Sequence, residues 1–463
     1  MVRYSPHSLL LLSALSLSGF SGRPTFAHAS SSDDHDHDDH SHGGVAAEWQ
    51  VHPTRMPSPL SDHSATILPS VRAAGNARKS QIVIAGGCDH PEGNAFVDAA
   101  AGEMDYFACD RLTDQVWAFD PEGTEGDGGV GEDGDGRWKR LAEMPRERYR
   151  HAAVEANGKL ILVGGRTVSD EMIPEIDVYD PSTDTWSTPG TLAEGIQTAD
   201  NAAFVNKKGT ALFVAGGYYG YDYDTLDRVI QIDLSLLLDT VEPKLVYKAA
   251  AKLGMKRGDV HAVVDGEGKY AYLAGGFNHL NDFCAPLSAT ERYEFETDEW
   301  KTVAPMANGR GDKALVFLRG IVYAIGGETL ADDWCDDKEG GNLVRDQSQV
   351  MDDVEAFDPS YEGNNNPGYA DSYGRWTKID DIPNARFRFA AAPWESERAI
   401  WVFGGQQPLD VECECHATSN IVATINFDEN MKQMGGSGAA SMGKMASVVG
   451  AVAGVIYGAA MLL

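Results

Sequence analysis

"LILVGGRTVSDEMIPEIDVYDPSTDTW", residues 160–186, decides the fold. A short apolar, β-rich run closes on Gly164 and Gly165. A second strand carries Tyr179; an aspartate and then Trp186 follow. The same order recurs along the chain. "IVIAGG" ends at Gly87, "LFVAGG" at Gly217, "AYLAGG" at Gly276, "VYAIGG" at Gly327 and "IWVFGG" at Gly405. "ERYEFETDEW" ends at Trp300, while Phe119 reaches Trp138 and Phe357 reaches Trp376 across insertions. A further apolar strand lies upstream of most pairs, starting near His63, His151, Asn201, His261 and Lys313. A fixed period of this kind marks a repeat architecture. Each unit supplies short alternating strands with an apolar face that it cannot bury alone. The glycines let one strand pass close to neighbouring backbone, and the aromatic and Trp fill the wedge between units.

These motifs resemble the kelch repeat: Gly-Gly closing strand b, an aromatic in strand c, and a Trp a short distance on. The resemblance covers residues 48–430 and implies an all-β fold, a six-bladed kelch β-propeller. The sixth unit lacks its own outer strand and Trp, because the chain turns into linker after Phe427. Trp49, in "AAEWQVHPTRMP", is expected to close the ring by pairing with the last blade. The third unit departs from the pattern. It has Ile232 in place of the tyrosine and no Trp, so Tyr247 is expected to fill that wedge.

The formal net charge of -32 over 463 residues excludes nucleic acid as a partner, since phosphate binding needs clustered Lys and Arg. It suits a soluble, self-repelling exterior outside the cell. Residues 1–29 read as a secretory signal peptide: Arg3, an apolar Leu9–Phe20, and the small-residue site Ala27–Ala29. Residues 30–47 form a His/Asp-rich segment, expected to be disordered, in which His35, His37, His40 and His42 could hold a transition metal weakly. Residues 431–445 are a Gly/Ser linker, and residues 446–463 a hydrophobic segment. Small residues before an apolar tail have the layout of a GPI-type lipid-anchor signal, with Gly436, Ser437 and Gly438 as attachment candidates. A single membrane span is the alternative. Either places the globular part at the cell surface.

On a kelch-type propeller the b–c loops and the blade-to-blade loops share one face, and loops on a rigid scaffold carry function. All six cysteines fall on or beside that face. Cys284, Cys335 and Cys413 each stand eight residues after a second glycine; Cys88, Cys109 and Cys415 complete the set. Disulfides are expected, with Cys284 paired to Cys335, and Cys88 and Cys109 paired to Cys413 and Cys415 across the closing seam. A metal bound by Cys413–His416 is the alternative. On the same face lies "YYGYDYD", whose Tyr218, Tyr219, Tyr221 and Tyr223 either stack on a ligand such as a sugar, or divide between packing and exposure. The channel mouth is expected to be lined by Asp62, Arg150, Asp200, Val260, Asp312 and Arg388. Opposite charges there either pair with one another or hold a polar ligand with a carboxylate. Arg257–Asp259 and Arg310–Asp312 spell Arg-Gly-Asp twice, read as repeat residues first and adhesion signals second.

The reading that results is a non-enzymatic extracellular recognition module for a protein or glycan, membrane-held through its C-terminal tail, with no cofactor. Two alternatives stay open. One is a secreted sugar-active enzyme of the sialic-acid mutarotase type, with acid and base groups at the mouth. The other is an acidic structural cell-surface protein. Copper radical oxidases also resemble this class but use a Tyr, Cys and His set on seven blades, and six blades count against them.

Overall fold

The computed structural model describes residues 48–69, 80–90, 109, 111–123, 137–278, 286–330, 348–361, 373–410 and 415–427. The expected signal peptide, the segment with His35 to His42, and the anchor candidates Gly436 to Gly438 lie outside these residues. So do Cys284, Cys335, Cys413 and most of the two c–d insertions.

Six four-stranded antiparallel sheets form six blades, each with strands a to d. Blade 1 comprises Ser64–Leu68, Gln81–Ala85, Val116–Phe119 and Trp138–Arg140. Blade 2 comprises Ala152–Ala156, Lys159–Val163, Glu175–Asp180 and Thr185–Thr191. Blade 3 comprises Ala202–Val205, Ala211–Ala215, Val229–Asp233 and Tyr247–Ala249. Blade 4 comprises Ala262–Val264, Tyr270–Ala274, Thr290–Glu294 and Glu299–Val303. Blade 5 comprises Ala314–Leu318, Ile321–Ile325, Val354–Asp358 and Arg375–Ile379. Blade 6 takes strands a to c from Ala390–Trp394, Ala399–Phe403 and Ile421–Asn426. Its outer strand is Trp49–Arg55, paired as Trp49↔Ile425 and Val51↔Ala423. The N-terminal strand therefore closes the ring as expected. Trp49 is buried among apolar residues of blades 5 and 6, and its Nε1 donates to Asp380 O at 3.1 Å.

The apolar core is divided among six wedges, one between each pair of neighbouring blades, rather than gathered at a centre. Strand b is covered on both faces, so it reads as a continuous apolar run instead of an alternating one; Leu160, Ile161, Leu162 and Val163 are all fully buried. The aromatic and the Trp face each other directly across strands c and d, as Tyr179↔Trp186, Tyr293↔Trp300 and Phe357↔Trp376. Their ring centroids lie 5.1–5.2 Å apart, a contact worth about 0.5–1.5 kcal/mol beyond the area it buries. The Trp Nε1 then reaches the preceding blade-to-blade loop: Trp186 donates to Ala142 O, Trp300 to Ala251 O and Trp376 to Ala304 O. In two blades the aspartate of the motif completes this tie. Asp184 accepts from Tyr179 and from Ala142 N; Asp298 accepts from Tyr293 and from Ala251 N. In blade 3, Tyr247 stands opposite Ile232 and packs into the wedge, as the sequence suggests.

Both glycines of every pair have positive φ, and an added Cβ on Gly164 would lie 2.4 Å from Thr198 O. No L side chain fits there. The close approach lets each second glycine donate its N–H to the next blade: Gly87 to Arg148 O, Gly165 to Thr198 O, Gly217 to Arg257 O, Gly276 to Arg310 O, Gly327 to Arg386 O and Gly405 to Leu60 O. The same backbone hydrogen bond thus recurs at each of the six seams.

Candidate functional site

The residue that enters strand a has positive φ in all six blades: Asp62, Arg150, Asp200, Asp259, Asp312 and Arg388, between 49° and 56°. Left-handed backbone is costly for residues other than glycine, and here it brings one charged side chain per blade to the channel mouth. Blade 4 corrects the sequence reading. Gly258 bridges Phe277 as Ser61 bridges Cys88, so Asp259, not Val260, takes the mouth position. Val260 is buried in the wedge between blades 3 and 4. Alignment on His261 displaced the register by one residue. The signal that would have found Asp259 is the repeated tripeptide, which sets Arg257-Gly258-Asp259 against Arg310-Gly311-Asp312.

The ring therefore holds four acids and two arginines. Arg150 Nε lies 3.4 Å from Asp62 Oδ1, and its Nη1 3.7 Å from Asp200 Oδ2. Arg388 Nε lies 3.0 Å from Asp312 Oδ2 and 3.9 Å from Asp62 Oδ1, and its Nη1 donates to Gln406. The opposite charges pair, with side-chain exposure below a tenth for these five residues. Asp259 is left among acids. Its enclosure, and then the Asp312 and Asp200 carboxylates, hold its pKa well above the usual range. The Tyr218 hydroxyl donates to it. Asp200 is pushed up to about 7, chiefly by burial against the pull of Arg150, with Asp312 and Asp62 adding to the rise. For Asp312, burial is outweighed by Arg388 and Arg150, and its pKa is lowered. Inside the mouth, His63, His151, Asn201 and His261 border an axial cavity of about 90 Å³. Burial lowers the His63 imidazole to about 3, so it is neutral.

The tyrosine loop divides. Tyr218 is buried, its ring lies edge-on to Tyr223 at 5.5 Å, and it covers Gly258, where a Cβ would meet the ring at 2.2 Å. Tyr223 donates to Asp170 at 2.9 Å, and the Arg166 guanidinium lies 4.3 Å over its ring. Arg166 also donates to Gly220 O, joining the b–c loops of blades 2 and 3. Tyr219 is half-buried, and Tyr221 projects with 66% of its surface exposed. Arg257 and Arg310 are fully buried, so neither Arg-Gly-Asp tripeptide is displayed.

Cys88 is bonded to Cys109 within the b–c loop of blade 1, which overturns the expected pairing of both with Cys413 and Cys415. The two cysteines sit in a small buried cluster with Leu112 and Tyr149. Cys415 is also disulfide-bonded. It has no thiolate to offer, and the metal alternative at Cys413–His416 fails with it. His416 packs edge-on against Phe387, its Nδ1 2.8 Å from Gln407 O.

The Kelch motif model matches residues 147–192 and 268–307. Kelch-like protein 23 of Mus musculus is 27% identical over 276 residues, 59% of this chain and 38% of that protein. Kelch-like protein 26 of Danio rerio is 26% identical over 191 residues, 41% of this chain and 29% of that protein. Beta-scruin of Limulus polyphemus is 26% identical over 198 residues, 41% of this chain and 20% of that protein. The chain thus spans less than two fifths of the length of these relatives. A solved structure titled "Structure of YjhT" superposes with a TM-score of 0.55 at 14% identity, covering 81% of this chain and 97% of that chain, a likeness of fold. Repeat, ring and relatives agree on a six-bladed β-propeller built of kelch repeats.

Proposed function

We propose that this propeller is a recognition module, displayed at the cell surface, that binds an extracellular protein or glycan with its b–c loop face. One observation carries the reading. Five of the six mouth charges are turned against one another, while Val168, Tyr221 and Met255 stand 49%, 66% and 45% exposed on the loops of the same face. Exposed aromatic and apolar groups beside a closed mouth suit a macromolecular surface better than a small-substrate pocket. Likeness to kelch-like proteins fits a protein-binding role. The Cys88–Cys109 bond and the N-terminal leader pattern support the extracellular setting.

The test screens the intact chain against arrayed glycans and extracellular proteins, with Tyr221→Ala and Val168→Asp beside it. A selective ligand lost in both variants supports the proposal. Binding that survives both but disappears in Arg388→Met moves the site into the mouth. Failure to label the chain on unpermeabilised cells removes surface display.

A second reading rests on Asp200. Its carboxyl, near 7 and 3.7 Å from Arg150, could shuttle a proton at neutral pH. Anomer exchange of a free sugar, followed by NMR and abolished in Asp200→Asn, would favour a mutarotase-type enzyme.

A further inference from the structure

Two residues before the mouth residue, four blades carry a buried arginine: Arg148, Arg257, Arg310 and Arg386. Each uses Nη1 in the same way. It donates to the first glycine of its own pair, at Gly164 O, Gly275 O, Gly326 O and Gly404 O, and to a carbonyl at or before the start of strand c. In three blades Nη2 meets an acid in strand c: Arg148 with Asp177, Arg257 with Glu291 Oε1 at 2.5 Å, and Arg310 with Glu355 Oε1 at 2.6 Å. That acid always pairs with the residue two before the first glycine, as Leu162↔Asp177, Leu273↔Glu291 and Ala324↔Glu355.

Blades 1 and 3 lack both partners. They have Leu60 with Trp117, and Thr198 with Ile230, at the same two positions. Arginine and acid are thus present together or absent together in five blades. Blade 6 breaks the rule. Arg386 is in place, but its strand-c position, Val402↔Ala423, holds alanine. Arg386 Nη2 is the atom left with no hydrogen-bond partner, and among the described residues no carboxylate pairs with this guanidinium. Burial brings its pKa down only to about 10, so it is charged at neutral pH. A buried cation with no counter-charge is strongly destabilising.

We propose that Arg386 Nη2, beside Ala423, is an internal site for a small monovalent anion of the chloride class, which does in blade 6 what Asp177, Glu291 and Glu355 do in blades 2, 4 and 5. The anion is a structural ligand of the last blade, the one closed by the N-terminal strand. Chloride and short carboxylates share the needed chemistry; gluconate is too large for a buried position.

The test follows thermal and urea unfolding of the intact chain in chloride, acetate and gluconate at constant ionic strength and pH. In chloride or acetate beyond the dissociation constant, the unfolding equilibrium constant is expected to fall about tenfold for each tenfold rise in anion. The arm that gives this slope identifies the anion. Ala423→Glu supplies the carboxylate within the chain. It is expected to be more stable than the parent in gluconate and to lose the anion slope, and Arg386→Met is expected to lose the slope as well. Should either variant fail to fold, a bromide soak of crystals of the parent chain gives an independent readout, an anomalous peak within hydrogen-bonding distance of Nη2. Equal stability in all three anions, a slope that persists in Ala423→Glu, or no bromide peak overturns the proposal.

Discussion

Glu355→Ala tests how these buried pairs hold the propeller. It leaves blade 5 in the state of blade 6, with an arginine and no acid. Arg310 is fully buried, and the Glu355 side chain is 2% exposed. Glu355 also accepts from Ala307 N at 2.8 Å and Asn308 N at 3.4 Å, so it fixes the loop that enters the blade. Removing one partner of a buried pair costs about 3–5 kcal/mol, because the remaining charge stays desolvated. A loss of 4 kcal/mol raises the unfolding constant about a thousandfold. The assay is urea unfolding followed by Trp fluorescence. The double variant Arg310→Met/Glu355→Leu serves as the second arm, since replacing both charges by apolar groups is often neutral. The double variant is expected to recover most of the loss. A cost below about 1 kcal/mol for Glu355→Ala, or a double variant less stable than the single one, would refute the view that an unpaired guanidinium is the source of the penalty.

Gly258→Ala places a Cβ 2.2 Å from the Tyr218 ring, and Gly311→Ala one 2.1 Å from Phe277. Each is expected to cost about 1–3 kcal/mol by overpacking, measured as a shift in melting temperature. The Asp200 carboxyl keeps its proton to about 7 in the folded chain, against an ordinary value of 3.8. The folded state therefore binds more protons between those values, and this group's contribution to stability falls as pH rises through that window. Unfolding measured from pH 4 to 8 is expected to lose that component of the slope in Asp200→Asn. Peptide mapping without reductant should recover Cys88 linked to Cys109; recovery of Cys88 linked to Cys413 or Cys415 would contradict the structure. Cys88→Ser is expected to cost about 2–4 kcal/mol.

Blade count and ring closure were legible in the chain because they rest on local, repeated patterns. Two glycines in succession mark the end of strand b wherever backbone must pass backbone. A tyrosine and a Trp mark the wedge. Trp49 stood out because the sixth repeat lacked an outer strand of its own. Even the exception in blade 3 was readable, since Tyr247 was the aromatic available to face Ile232.

The site was less legible, and the misses share a cause. Cys88 and Cys109 were expected to pair with Cys413 and Cys415 across the closing seam, yet they are bonded to each other. A b–c loop has no fixed period, so spacing carries no information about which sulfurs approach. Four tyrosines in seven residues look equivalent in sequence, but contacts from other blades, Asp259 to Tyr218 and Asp170 to Tyr223, turn two inward and leave Tyr221 outside. The mouth was read as the residue just before each strand a, and a single-residue slip at His261 hid an acid.

The sequence alone determined the architecture, because each repeat carries its own apolar pattern and glycine pair. Tertiary structure decided the chemistry of the face: which acid enters the ring, which charges neutralise one another, which tyrosine remains free. Those outcomes depend on left-handed turns and on atoms from adjacent blades, and the distances between them arise only when the ring is closed.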